Sequence, residues 1–197
     1  MIAAAANFPA KDLADAIAQA KADPGKIAIA TEGPKTFSGM LADSFAALAG
    51  VKLNHVPSTK APDAIQDVLG GRVQLICLPD AALVPYLKSG QMRALAVSTG
   101  QRLPGSPTVP TLGETFSGFE YTGWNGLFAP AGTPPEVIAR VNRDLDALLK
   151  QPEVAQRLLT LGSIAEPDMN VAAFDGFMRS ERQRWAGIVK AIGITPE

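Results

Sequence analysis

Residues 31–38, with the sequence TEGPKTFS, combine hydroxyl side chains with a glycine in a loop between two regular patterns. An apolar run typical of a strand precedes this loop, and a helical pattern follows it. Backbone N–H groups and the positive end of the helix dipole favour an anion at such a junction. The hydroxyls of Thr31, Thr36 and Ser38 and the backbone of Gly33 therefore predict a carboxylate site. The alternative is that Thr36 or Ser38 serves only as the helix N-cap, where both residue types are common.

Two further candidate loops follow two other apolar runs. Ser58, Thr59 and Lys60 offer two hydroxyls and one ammonium group, which can orient a second carboxylate. Pro79 and Asp80 form the third candidate loop. Each has an ordinary alternative: a lysine in a loop is usually solvated, and Asp80 is predicted to be the N-cap of the following helix.

The remaining side chains supply no catalytic constellation. The chain has one histidine, His55, and one cysteine, Cys77, so it has neither an internal disulfide nor the ligands of a zinc site, and both side chains are predicted to be structural. It also lacks a glycine-rich phosphate signature and a GxSxG motif. We therefore expect no catalytic residue, no metal and no cofactor, and the chain is predicted not to be an enzyme.

Charge and hydropathy narrow the class of protein further. The 18 Lys and Arg residues and the 19 Asp and Glu residues are scattered along the chain, so nucleic acid is not an expected partner. No apolar run approaches the roughly 20 residues of a membrane span. The opening MIAAAANFPAKD lacks the basic start and long apolar centre of a signal peptide, which predicts a cytoplasmic protein if Met1 is the true start.

The alternation of strand and helix patterns predicts an α/β fold with a mostly parallel sheet and helices on both faces. Residues 124–130 predict a buried stretch of strand that leads into a helix with a capping box at Thr133 and Glu136. The predicted strands are residues 1–7, 26–31, 51–56, 73–78, 92–98 and 119–130. The predicted helices are residues 11–22, 38–49, 62–69, 81–88, 135–150, 153–161 and 171–192, and residues 103–111 form a proline-rich connection.

Four segments carry a resemblance to a known family: KSGQMRALAVST, SPTVPTLGE, FEYTGWNGLFAP and WNGLFAPAGTPPEVI. Their wording resembles the substrate-binding receptors of tripartite tricarboxylate transporters, periplasmic solute-binding proteins of the TctC/Bug type. The resemblance implies a fold like that of type II periplasmic binding proteins, lacking the N-terminal part of the first of its two lobes. Residues 1–123 are then expected to form the second, ligand-binding lobe. Residues 124–197 are expected to form the crossover strand and C-terminal helices of the first lobe.

The same resemblance implies a function, partners and a location. It implies a binding protein that captures a small organic carboxylate in the periplasm, with the membrane subunits of a tripartite tricarboxylate-type transporter as partners. At the ligand loops the chain departs from the family. Residues 58–60 stand where members commonly have Tyr-Lys-Gly, and Gly39 replaces a frequent histidine.

Two alternative functions remain open from the sequence. The first is a truncated scaffold that acts as an interaction or sensor protein without transport. Such a scaffold is expected to form a homo-oligomer through exposed C-terminal helices, whose apolar face includes Phe174, Phe177 and Trp185. The second is a cytoplasmic enzyme adapted from the lobe, for which the sequence offers no acid–base pair or nucleophile.

Overall fold

Two compact units, Met1–Gly123 and Trp124–Glu197, make up the chain in the computed structural model, which describes residues 1–191 and 193. The strands are β1 (Ile2–Ala5), β2 (Ala28–Thr31), β3 (Asn54–Pro57), β4 (Leu75–Cys77) and β5 (Met92–Ala96). The helices are α1 (Leu13–Ala22), α2 (Phe37–Ala49), α3 (Ala61–Leu69), α4 (Asp80–Lys88), α5 (Leu112–Thr115), α6 (Pro135–Leu149), α7 (Pro152–Thr160) and α8 (Val171–Ala191). Ile192, the last residue of the predicted C-terminal helix, lies outside the described residues.

The five strands form one sheet in the order β3-β2-β4-β1-β5. β2 pairs in parallel with β3 and β4, whereas β1 is antiparallel to both β4 and β5. Four strands therefore run in one direction, which confirms the predicted α/β class and mostly parallel sheet. β1 lies between two neighbours, and Ile2, Ala3 and Ala4 are fully buried, which accounts for its unbroken apolar sequence.

Apolar side chains of the strands and helices form the core of the first unit. Every residue of β2 and β4 is buried. Helix α2 adds Leu41 and Phe45 to this core, and it ends at its C-cap residue Gly50, which has the left-handed conformation (φ 62°) that glycine favours. The buried hydroxyl of Tyr121 donates a hydrogen bond of 2.8 Å to the hydroxyl oxygen of Ser44. This bond joins the end of the first unit to α2.

The prediction of a strand over residues 119–130 is wrong. Residues 124–130 have no regular structure, and Leu127 and Phe128 are 65% and 67% exposed. A strand requires a neighbour that pairs its backbone N–H and C=O groups. Within its described residues, the second unit contains helices and irregular segments only, so this segment has no such neighbour there.

The capping box predicted before α6 is also wrong. Pro134 occupies the N-cap position of α6, and the Thr133 hydroxyl donates instead to the carbonyl oxygen of Pro130, at 2.9 Å. A capping box does form at Thr111 and Glu114, where the proline-rich connection ends in the short helix α5. Helix α5 was not predicted from the sequence, because a single helical turn has no detectable periodicity.

A cluster of aromatic rings and one buried carboxylate organises the second unit. The Trp124 ring lies 5.5 Å from that of Phe177 and 6.3 Å from that of Phe174, between centroids. The indole N–H groups of Trp124 and Trp185 donate to the carboxylate of Glu181, at 2.9 and 3.2 Å. Phe174, Phe177 and Trp185 are therefore half-buried, whereas the sequence predicted that they belong to an exposed apolar face.

Other apolar side chains of the second unit are exposed. No residue of α6 or α7 is buried. The large apolar residues exposed by more than a third are Leu127, Phe128, Val137, Val141, Leu148, Leu159, Leu161, Ile164 and Val171. None of the helices formed by the described residues combines the length and apolar character needed to cross a membrane.

Candidate functional site

The order of the strands places the three candidate loops side by side. The loops begin after β2, β3 and β4, which are parallel, and β2 lies between the other two in the sheet. The carboxyl ends of parallel strands lie at the same edge of a sheet, where α/β proteins bind their ligands. One contact joins two of the loops directly, because the Ser58 N–H donates to the Thr31 carbonyl oxygen at 2.8 Å.

The first loop is held by its own hydroxyl groups. The hydroxyl of Thr36 donates to the Gly33 carbonyl oxygen at 2.7 Å and accepts the Gly39 N–H at 3.1 Å, so Thr36 is the N-cap of α2. Buried Ser38 accepts the Glu32 N–H at 3.2 Å and lies 3.0 Å from the Thr36 hydroxyl. The N-cap alternative is therefore correct for Thr36.

The hydroxyl of Thr31 also lies inside the protein. Thr31 is fully buried, and its Oγ1 accepts the Gly33 N–H at 3.1 Å and lies 2.6 Å from Nε2 of His55. The Nδ1 atom of His55 lies 3.2 Å from a carboxylate oxygen of Asp43 in α2. The three hydroxyls that the sequence proposed as ligand donors therefore form hydrogen bonds within the protein, and Gly33 is held between two of them.

Gly39 allows the close approach of α2 to this loop. A Cβ atom on Gly39 would lie 2.0 Å from the Gly33 carbonyl oxygen and 2.8 Å from the Pro34 Cα atom. Both are backbone atoms, so a larger residue cannot be accommodated by a side-chain rotation. Gly39 thus allows this loop to fold tightly against the first turn of α2.

The second and third loops present more exposed groups. Thr59 and Lys60 are exposed, and Lys60 occupies the N-cap position of α3 without a side-chain cap. Pro79, not Asp80, is the N-cap residue of α4, and Asp80 is the first helical residue, so the predicted N-cap role of Asp80 is wrong. Proline carries no side-chain acceptor, so Pro79 forms no side-chain capping hydrogen bond at the start of α4.

Asp43 and His55 also contribute to this region, although the sequence did not indicate it. Ile29 and His55 are partners in the parallel register of β2 and β3, which places the imidazole beside the end of β2. No local pattern could reveal this contact, because it depends on which strands pair. Cys77, by contrast, is structural as predicted, since it is fully buried and burial raises the pKa of its thiol to about 11.

A shallow cavity of about 350 Å³ lies elsewhere in the first unit, beyond β5. Its lining includes the acidic residues Glu114 and Glu120. Hydrogen bonds from Arg102 and from the Thr111 backbone N–H lower the pKa of Glu114 to about 2, so this carboxylate is charged at neutral pH. Two acidic side chains oppose the binding of another carboxylate, and we assign no ligand to this cavity. The described residues contain no group of three or more His, Cys, Asp or Glu side chains arranged to hold a metal ion.

Similar proteins share both the sequence and the fold. Protein BugT of Bordetella pertussis is 34% identical over 181 residues, which cover 90% of this chain and 54% of BugT. The chain thus spans about half the length of this relative. Rpa4515 of R. palustris, solved with adipate, superimposes on this chain with a TM-score of 0.89 at 26% identity. The match covers the whole of this chain and 66% of the Rpa4515 chain.

Two further solved structures agree with this comparison. The periplasmic binding protein BugD has a TM-score of 0.85 at 28% identity and covers all of this chain and 66% of its own. MatC of Rhodopseudomonas palustris, solved with bound malate, has a TM-score of 0.82 at 29% identity, over 96% of this chain and 65% of its own. The family model described as "Tripartite tricarboxylate transporter family receptor" matches residues 1–194. The chain therefore belongs to the tripartite tricarboxylate transporter receptor family, as its sequence indicated.

Proposed function

We propose that this chain is a solute-binding protein that captures a small organic carboxylate at the loops following β2, β3 and β4. The observation that carries the proposal is the sheet order, which gathers three loops at one edge although they are far apart in sequence. Family membership supports it, as do two similar structures that were solved with the dicarboxylates adipate and malate. The proposed setting is the periplasm, and the proposed partners are the membrane subunits of a tripartite tricarboxylate-type transporter.

The loop residues have different proposed roles, depending on whether their side chains are buried or exposed. Thr31, Thr36 and Ser38 hold the backbone around Gly33, so that the start of α2 presents the positive end of its dipole to the carboxylate. In the second loop, Ser58, Thr59 and Lys60 supply polar groups, and the Lys60 ammonium pairs with the acid. Pro79 and Asp80 border the site at the start of α4.

Calorimetric titration with adipate and with malate tests this proposal. We expect saturable binding of at least one dicarboxylate and no binding of adipamide, which has the same length without charge. Lys60→Ala is expected to weaken binding about tenfold, because a hydrogen bond to a charged group contributes at least about 1.5 kcal/mol. Lys88→Ala is the matched control, since Lys88 is an exposed lysine at the far end of α4. Equal losses in the two variants, or no binding of either acid, would contradict the proposal.

The exposed apolar residues of the second unit favour a second candidate function, that of a self-associating scaffold. Helix α6 carries Val137, Val141 and Leu148 with 46–49% of each residue exposed. Burial of such residues against a second copy of the chain gains roughly 25 cal/mol for each Å² of apolar surface. Sedimentation velocity is expected to show a dimer that Val141→Glu dissociates and that Ala147→Glu, at another exposed position of α6, leaves intact. A monomer at all concentrations would exclude this candidate.

A further inference from the structure

A chain of polar contacts runs from α2 through β3 to the first ligand loop. It begins at the Asp43 carboxylate, which lies 3.2 Å from Nδ1 of His55. It continues from Nε2 of His55 to Oγ1 of Thr31, at 2.6 Å, and from there to the Gly33 N–H, at 3.1 Å. The burial of its members increases along the chain. The side chain of Asp43 is 40% exposed, that of His55 is 20% exposed, and Thr31 is fully buried.

The contact with Asp43 favours one tautomer of His55. A carboxylate has no proton to donate and attracts a positively polarised N–H group, so Nδ1 of His55 is the nitrogen expected to carry the proton. In a neutral imidazole the other nitrogen, Nε2, is then an acceptor, and the Thr31 hydroxyl must donate to it. This leaves the lone pairs of Thr31 Oγ1 to accept the Gly33 N–H. The opposite tautomer of His55 would leave the Asp43 carboxylate facing a second acceptor.

The last member of the chain, Gly33, is held on both sides of its backbone. Its N–H donates to Thr31, and its carbonyl oxygen accepts the Thr36 hydroxyl at 2.7 Å and the Thr36 N–H at 3.2 Å. Its φ of +128° is accessible to glycine but rarely to other residues. The orientation of the peptide group between Glu32 and Gly33 therefore depends on the Thr31 hydroxyl, whose own orientation depends on His55.

We infer that Asp43 and His55 are positioning residues for carboxylate capture: they select the direction of the Thr31 hydroxyl and thereby set the backbone of the loop that leads into α2. The inference rests on the proposed function, since it concerns the same loop. The order carboxylate, imidazole, hydroxyl also occurs in catalytic triads. Here the hydroxyl is fully buried, so no substrate atom can reach it, and the contacts serve to fix geometry.

The tautomer of His55 gives a direct test that needs no ligand. His55 is the only histidine in the sequence, so every imidazole signal in a ¹⁵N-correlated NMR spectrum belongs to it. At about pH 8, where the imidazole of a free histidine is neutral, we expect the proton on Nδ1. The Asp43→Asn variant can donate to Nδ1 and is expected to move the proton to Nε2, whereas Asp67→Asn, in α3, is expected to leave it in place. A proton on Nε2 in the unmodified chain would overturn the inference.

The adipate and malate affinities of two pairs of variants then test whether the tautomer of His55 affects ligand capture. The amide of His55→Gln can occupy the position of Nε2 and accept from Thr31, whereas the shorter His55→Asn reaches only toward Asp43. We expect His55→Gln to keep adipate and malate affinity within about threefold and His55→Asn to lose about tenfold, the effect of one hydrogen bond to a charged or buried group. Thr31→Ser should likewise preserve affinity, and Thr31→Val should lower it. Equal affinities for all four variants would refute the positioning role.

The two readouts separate this inference from the proposed function. If the chain binds neither acid, the carboxylate proposal fails, whereas the NMR experiment still shows whether Asp43 selects the tautomer. If the chain binds an acid and His55 carries its proton on Nε2, the proposed function stands and the positioning role is refuted. Poor folding of a variant does not affect the tautomer of the unmodified chain.

Discussion

Replacement of Gly39 by alanine is expected to destabilise the first unit and to loosen the loop before α2. The new Cβ atom would lie 2.0 Å from the carbonyl oxygen of Gly33, whereas contacts shorter than 3.0 Å are essentially not tolerated. The Gly33 carbonyl must therefore retreat by about 1 Å. A shift of this size would also strain the 3.1 Å hydrogen bond from Gly33 N–H to Thr31.

The expected magnitude is the difference between two opposing effects. Inserting a methyl group into a closely packed site costs about 1–3 kcal/mol, and a weakened hydrogen bond adds about 1 kcal/mol. Alanine in place of glycine within a helix recovers about 1 kcal/mol. We therefore expect Gly39→Ala to lower the free energy of unfolding by about 1–3 kcal/mol.

Gly187→Ala is the matched control, since Gly187 also lies inside a helix but, among the residues that the structure describes, no atom lies within 4 Å of an added Cβ. This variant should be more stable than the original chain by about 1 kcal/mol. Urea unfolding followed by circular dichroism measures both changes. Both tryptophans, Trp124 and Trp185, lie in the second unit, so tryptophan fluorescence does not report on the first unit. Peptide-level hydrogen exchange is therefore needed to assign the loss of stability to residues 27–45. If Gly39→Ala stabilises the chain as much as Gly187→Ala, the reasoning about the loop is refuted.

Three further changes test other parts of the fold. Tyr121→Phe removes the buried hydrogen bond to Ser44 and should lower the free energy of unfolding by about 1–2 kcal/mol in urea titration; an unchanged midpoint would show that this bond is dispensable. Hydrogen bonds from Arg102 and Thr111 lower the pKa of Glu114 from 4.5 to about 2 in the folded chain. A group with a depressed folded pKa stabilises the fold above its unfolded pKa and ceases to do so as the pH falls through the folded value. Relative to Glu114→Gln, the original chain should thus lose stability between about pH 4.5 and 2 in acid titration, and parallel curves would contradict this. Burial raises the pKa of Glu181, but hydrogen bonds from Arg184, Trp124 and Trp185 outweigh burial and lower it overall. Glu181→Ala should therefore remove the carboxylate that accepts from both indole N–H groups and shift the fluorescence of the second unit to longer wavelength, whereas an unchanged emission maximum would argue against this cluster.

Local patterns were sufficient to locate the elements of residues 1–98. The strands and helices of residues 1–98 follow from apolar periodicity interrupted by Gly and Pro, and the C-cap at Gly50 follows from the preference of the left-handed conformation for glycine. These features depend on residues close in sequence. The family was also evident from short segments such as WNGLFAPAGTPPEVI, because their wording is specific even where their physics is ordinary.

Local patterns failed where a structure depends on a distant partner. The apolar residues 124–130 satisfy the composition of a strand, but a strand forms only where another one pairs with it, and none does so within the described second unit. The predicted N-cap at Asp80 was displaced by one residue because capping depends on backbone conformation, and Pro79 has the extended conformation (ψ 139°) of an N-cap.

The sequence by itself determined the fold class, the family and the polar character of three loops, since each of these follows from residue types along the chain. Only the tertiary structure decided that β2 lies between β3 and β4, which brings those loops to one edge. It also decided that the hydroxyl of Thr31 faces His55 rather than solvent. The physical reason is the same in both cases: strand order and register arise from the packing of the whole core, and they place side chains together that are separated by 24 residues in sequence.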